Sequence, residues 1–162
     1  DYRLHPYLIE ASAVGYATYV IGWASWFDAV HTFKLERIQK AELTDETFDL
    51  PRDFDPVELL STAWGIAYAE PGAELETVRL KFSPDVTRRV KESVWHTSQQ
   101  IEDLPDGGCI LTVEIAHAWE MIPWIRGWGP DCVVEAPQAL RDRIAAEMRQ
   151  AAAVYKENDN DD

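Results

Sequence analysis

Apolar and polar positions alternate with a period of two in several short stretches, and each reads as a strand. Tyr16 to Trp23 is rich in Tyr, Val, Ile and Trp, which favour a pleated, half-buried surface. Before it, Arg3 to Glu10 reads as an extended segment around Pro6. After it, Ala24 to Ala29 holds Ser25 and Asp28 and reads as a hairpin loop. The octapeptide HTFKLERI, His31 to Ile38, opens a further strand that the pattern carries to Leu43. A period of two puts His31, Phe33, Leu35 and Arg37 on one side of the pleat. Lys34 falls on the other side unless a bulge or bend re-aims it. Thr44 to Asp55 is polar, contains Pro51, and reads as a loop or short edge strand. Asp55 suits an N-cap and Pro56 the first helical position, so a helix is expected through Val57, Leu60 and Trp64, with Gly65 as its stop.

The clearest boundary is AEPGAELE, Ala69 to Glu76, where Pro71-Gly72 marks a turn. Thr77 to Phe82 alternates through Val78, Leu80 and Phe82 and predicts a strand. Ser83 as N-cap and Pro84 at the first position open a helix to about Ser93, with Val86 and Val90 one turn apart. Gln99 to Leu104, the turn Pro105-Asp106-Gly107-Gly108, and Cys109 to Ile115 form a hairpin. Met121, Ile122 and Ile125 predict a short helix ending near Gly127 to Gly129, although Pro123 removes an amide donor inside it. Asp131 to Glu135 is the next strand. Pro137 opens a helix whose apolar positions, Leu140, Ile144, Met148, Ala151 and Tyr155, are spaced by three and four. The second half therefore orders as β-α-β-β-α-β plus a terminal helix, a ferredoxin-like split βαβ pattern. The first half, short strands ending in a helix, suits a small or partial β-barrel. Glu157 to Asp162 is an acidic tail expected to be disordered.

Composition narrows the function. The chain has 162 residues, 46% of them hydrophobic with seven Trp, enough for a packed core in one ordinary domain or two small ones. Fifteen Lys and Arg face 29 Asp and Glu, a formal charge of −14. Such a surface repels phosphate backbones, which argues against general duplex-DNA binding and confines any anion site to a local basic spot. Lys34 and Arg37 make HTFKLERI such a spot. Cys109 and Cys132 are too few for a disulfide framework and read as reduced core residues. No apolar run reaches the roughly 18 residues of a membrane span, and no signal-peptide pattern is present, so a soluble cytoplasmic protein without a membrane partner is expected.

Catalytic and metal-binding signatures are missing from the sequence. His5, His31, His96 and His117 are scattered, with no HExxH spacing. There is no GxSxG, no GxxxxGK[ST] and no GxGxxG after a strand. The sequence thus predicts no enzyme, no cofactor and no metal.

The segments RLHPY (3–7), TYVIGW (18–23), HTFKLERI (31–38) and FDLPRDFDP (48–56) occur in the order and spacing of the WYL domain, a bacterial regulatory module, which this chain resembles. The eponymous Trp-Tyr-Leu stands here as Thr18-Tyr19-Val20. HTFKLERI is similar to the family's RTFRLDRI, with Lys34 for the first Arg of the pair and Arg37 kept. VRLKF (78–82), WHTSQQIEDLPDGG (95–108), WIRGWGPDCVVEAP (124–137) and LRDRI (140–144) resemble the C-terminal extension that commonly follows a WYL domain.

The resemblance implies an α+β chain with an Sm-like, SH3-type β-barrel over residues 1–55, its first strand missing here or lying before residue 1, then a helix and linker over 56–74. A ferredoxin-like extension over 75–156 and the tail 157–162 complete it. It implies the ligand-sensing, oligomerising part of a transcriptional regulator, a homodimer, whose helix-turn-helix for duplex DNA lies outside these residues. Its ligand would be single-stranded nucleic acid or a nucleotide. Tyr19, Lys34 and Arg37 are the residues carried over, with Arg3, His5 and Tyr7 in the matching N-terminal segment. Arg suits bidentate phosphate contact, Lys supplies a point charge, and Tyr can stack on a base.

Structural roles compete with these. Arg37 could pair with Glu36 or Glu42, Lys34 could guard a sheet edge, Tyr19 could serve the core, and His5 could be an ordinary surface residue. Trp119, Trp124 and Trp128 read as core or subunit contact, because stacking platforms pair aromatics with basic residues and Arg126 alone lies near. Seven Trp on an acidic chain also fit a protein-protein module with no small ligand.

Overall fold

The computed structural model describes residues 2–12, 16–70 and 72–158, with side chains through Tyr155. The chain divides into two compact units, 1–61 and 62–162. Both are built on antiparallel sheets, so the fold class is α+β.

The first unit is a meander of β1 (Leu4–Ser12), β2 (Ala17–Ala24) and β3 (Ala29–Lys34), followed by α1 (Pro56–Leu60). Strand β1 bulges at Tyr7, where Pro6 faces Gly22 and Leu8 faces Ile21. Gly22 is required there, since a Cβ on it would stand 2.0 Å from the His5 carbonyl oxygen. The turn between β2 and β3 closes on the carbonyl of Ala24, which accepts from Phe27 and Asp28, and Asp28 takes a positive φ of 51°. Asp tolerates that conformation better than most residues.

Two expectations are corrected in this unit. The strand predicted over His31 to Leu43 ends at Lys34, and Leu35–Arg37 forms one 3-10 turn closed by Ile38 N–H on the Leu35 carbonyl. The reason is supply of a partner. Lys34 pairs with Tyr19 and β2 begins at Ala17, so the ladder runs out of partners within two residues. The alternation after Lys34 then has no sheet to join.

The helix expected from Asp55 to Trp64 starts as predicted, with Asp55 Oδ1 accepting from Val57 N–H at 2.8 Å and Glu58 N–H at 3.3 Å. It stops after five residues. The Ser61 hydroxyl donates to the Glu58 carbonyl at 2.7 Å, occupying an acceptor a longer helix needs. Beyond it, the amides of Gly65, Ile66 and Ala67 are taken by a carboxylate instead of helical carbonyls.

The second unit follows the predicted element order closely. It contains β4 (Glu76–Phe82), α2 (Pro84–Lys91), β5 (Gln100–Asp103), β6 (Cys109–Ile115), α3 (Ile122–Arg126), β7 (Cys132–Ala136) and α4 (Gln138–Asn158). Its sheet runs β5-β6-β4-β7, antiparallel throughout. One face is apolar and closed to water: Val78, Leu80 and Phe82 on β4, Leu111, Val113 and Ile115 on β6, and Val134 on β7. Val90, Met121, Ile122, Ile125, Leu140 and Ile144 are buried with them. Burying each such side chain contributes about 1.5–3 kcal/mol. The other face is polar, with Arg79 reaching Thr112 at 3.4 Å and Glu135 at 3.6 Å.

Ser83 begins α2, but its hydroxyl donates to Asp131 at 2.7 Å and does not cap the helix. Helix α4 buries Leu140 and Ile144, while Ala151 and Tyr155 of the same stripe are exposed. The helix carries the first residues of the acidic tail as far as Asn158, and 159–162 lie outside the described residues.

Cys109 and Cys132 are both buried and free. Each pairs with Phe82, from opposite sides of β4. Two strand spacings, about 9.5 Å, separate them, beyond the reach of a disulfide. Burial pushes the Cys132 thiol up to about 12.

Candidate anion-binding site

Tyr19, Ile21 and Trp23 share one face of β2 by the two-residue period. Opposite Tyr19 stand Lys34 on β3 and Glu10 on β1; opposite Trp23 stands His5. Tyr19 and Lys34 are therefore side by side, while His5 lies at the far end of the same face, about 13 Å away along the strand.

Past Lys34 the 3-10 turn presents Glu36 and Arg37. Thr18, paired with Ala11 on β1 but beyond the last β3 pair, donates its N–H to Glu36 Oε1 at 3.3 Å. Glu36 is held below its ordinary value by its own backbone amide first, then by the Thr18 amide, with Lys34 and Arg37 adding attraction. Neither Lys34 nor Arg37 makes an ion pair within 4.0 Å among the described residues, and the pairing of Glu42 is with Lys40 at 2.7 Å. The end of β3 therefore sets the Thr18 amide on one exposed carboxylate, with Lys34 and Arg37 near enough to attract it and Tyr19 in register with Lys34. An oxyanion is the chemistry those donors suit.

The N-terminal candidates are engaged elsewhere. Arg3 pairs with Glu46 at 2.8 Å. The His5 ring stacks on Phe48 with centroids 4.7 Å apart and lies 4.8 Å from Trp23. Tyr7 contacts Phe48 at 6.0 Å and Phe54 at 5.1 Å. These three hold the 46–54 loop against the sheet, a packing task invisible in the sequence because the loop has no periodicity.

Sequence reasoning also passed over Glu120. It is 8% exposed, and its carboxylate accepts from Gly65 at 2.9 Å, Ile66 at 2.8 Å and Ala67 at 3.0 Å. An acid among 29 carries no local mark of such a role.

The tryptophans of the second unit divide. Trp124 sits edge-on to Trp64 and Trp95, both at 5.0 Å, and to Trp128 at 5.4 Å. Arg89 lies over Trp128 at 4.5 Å. Trp119 is instead 55% exposed, beside His117 at 5.8 Å. The WHTSQQ stretch is structural: Trp95 Nε1 donates to the Val90 carbonyl at 2.8 Å, and Gln99 Oε1 accepts from the amides of Trp95 and His96.

Among the described residues, no group of three or more His, Cys, Asp or Glu could hold a metal, and no helix is long and apolar enough to cross a membrane. Two units built on antiparallel sheets define an α+β protein in class. Residues 74–152 match the family described as the WCX domain. Over those residues the second unit is similar to that WYL-associated C-terminal family, which is consistent with a C-terminal fragment of a WYL-type regulatory protein. Among solved structures, the proteasome accessory factor B/C (PafBC) of Arthrobacter aurescens is similar, with 18% identity and a TM-score of 0.43. The match covers 95% of this chain and 22% of that protein, so the chain spans about a fifth of its length. No curated protein matches the chain.

Proposed function

We propose that this chain is the effector-sensing region of a transcriptional regulator and binds single-stranded nucleic acid or a nucleotide through Tyr19, Lys34 and Arg37. The observation that carries this reading is the Tyr19–Lys34 pair, with Arg37 one turn beyond, on a chain of net charge −14. Two cations beside an aromatic ring suit a phosphate and a stacked base. Arg3, His5 and Tyr7 would contribute by holding the loop that borders this face, not by touching the ligand. The first unit is read as a partial Sm-like sheet. The second is read as ferredoxin-like, which the strand order β5-β6-β4-β7 supports. The regulator would act as a homodimer, with duplex DNA bound by a helix-turn-helix outside these residues. Ligand binding changes its output only by favouring one arrangement of the regulator over another.

Fluorescence anisotropy of a labelled short single-stranded DNA, and of its RNA counterpart, tests the reading. Saturable binding lost in Arg37→Ala, with the chain still folded, is expected. Equal binding by the variant excludes this site.

One observation favours a protein partner instead. Trp26 is 74% exposed at the β2–β3 turn, next to exposed Phe27, and Tyr2 stacks on Phe33 at 5.5 Å. A partner held by those rings would bind with little salt dependence, unlike a phosphate ligand.

A further inference from the structure

The strand end that holds the candidate cations also holds a negative group placed as a ligand would be. We infer that the Glu36 carboxylate is a built-in competitor, occupying the Thr18 amide between Lys34 and Arg37, and that an incoming phosphate must displace it. This deepens the proposed function and rests on its placing of the ligand at the end of β3.

The contact has a specific cause. The β2–β3 pairing ends at Tyr19–Lys34, one residue short of Thr18, so no β3 residue pairs with Thr18. The 3-10 turn swings Glu36 into that gap, and its Oε1 accepts the amide at 3.3 Å. That distance is at the long end of an N–H···O bond, so the contact is weak and exchangeable. Glu36 is also exposed, so no packing holds it in place. One phosphodiester matches a carboxylate in charge and free oxygens, but successive phosphates of a strand and a base stacked on Tyr19 add contacts that a lone carboxylate lacks. The sequence Lys34-Leu35-Glu36-Arg37 thus reads as two cations with their own removable counter-ion. The other acid of this row, Glu10, lies across Tyr19 on β1 and takes no such hydrogen bond among the described residues.

The test is anisotropy of a labelled short single-stranded oligothymidylate with the whole chain, comparing Glu36→Gln, Glu36→Ala, Glu10→Gln, Arg37→Ala and the double variant Glu36→Ala/Arg37→Ala. Gln can still accept the Thr18 amide but lacks the charge; Ala removes both. Glu36→Gln should tighten binding about two- to fivefold, the range of an exposed charge contact, and Glu36→Ala at least as much. Glu10→Gln should do less, and the double variant should lose the gain. Unchanged binding by both Glu36 variants, or a gain no larger than that of Glu10→Gln, overturns the competitor role; if Arg37→Ala still weakens binding, the cation site stands without it. Absence of binding by every variant, with native tryptophan fluorescence retained, overturns the competitor and the site together.

Discussion

Removing the Glu120 carboxylate should cost the second unit a large share of its stability. The carboxylate accepts from three successive backbone amides, at 2.9, 2.8 and 3.0 Å, and is almost closed to water. A hydrogen bond to a charged group contributes about 1.5–3 kcal/mol, and an orphaned buried N–H costs about 1–3 kcal/mol. Water entering the vacated space recovers part of this, so Glu120→Ala should lose about 3–6 kcal/mol. Against the roughly 5–15 kcal/mol of an ordinary domain, that is a fifth or more. Glu120→Gln separates charge from shape. Its carbonyl oxygen can keep Ile66 and Ala67, but its amide nitrogen meets the Gly65 N–H donor to donor, for about 1–3 kcal/mol. Urea unfolding followed by tryptophan fluorescence reads both, because Trp64, Trp95, Trp124 and Trp128 cluster in this unit. Amide exchange at Gly65, Ile66 and Ala67 should quicken in the Ala variant before the rest of the unit opens. A loss below about 1 kcal/mol for Glu120→Ala, or Gln costing as much as Ala, would refute this account of the contact.

Three further outcomes follow from the geometry. If two cations meet phosphates of a single strand, the logarithm of affinity should fall with the logarithm of salt at a slope of about −1.4, and at about −0.7 in Arg37→Ala; a slope near zero would favour the apolar partner. Cys132, its thiol raised to about 12 by burial, should resist alkylation at neutral pH in the folded chain and react only after denaturation; labelling of the native chain at the denatured rate would contradict its burial. Glu147 is held below its ordinary value, 4.5, chiefly by the hydrogen bond from Arg126, at 2.9 Å from Nε, and then by Arg143 at 3.2 Å. Its folded form is the better acid, so its stabilising contribution is present above the ordinary carboxylate range and is lost as pH falls through the lowered value. The stability gap between wild type and Glu147→Gln should therefore close on acidification, measured by thermal melts from neutral pH downward; a gap constant with pH would show that Arg126 and Arg143 do not act on it.

The candidate site was partly legible in the sequence. Tyr19, Lys34 and Arg37 could be named from their motif, but the continuous strand drawn through them put Lys34 and Arg37 on opposite faces. Only the end of β3 at Lys34, forced by the end of β2 at Ala17, lets a turn carry Arg37 and Glu36 around to the Thr18 amide. Arg3, His5 and Tyr7 were nameable as well, yet their partners Glu46, Phe48 and Phe54 sit in a segment without periodicity.

The sequence by itself determined those features whose causes are local. Alternation in 77–82 and 109–115, Pro84 at the start of α2, Asp55-Pro56 before α1 and the Pro105–Gly108 turn each act within a few residues, and each element begins within a residue of where it was expected. Tertiary structure decided where β3 and α1 end, which acid lies beneath three amides, which tryptophans are buried, and that two cysteines on either side of Phe82 stay apart. Each of these depends on a partner many residues away, as Glu120 is from Ile66 across 54 positions. Periodicity and capping carry no information at that range; only the folded chain brings such partners together.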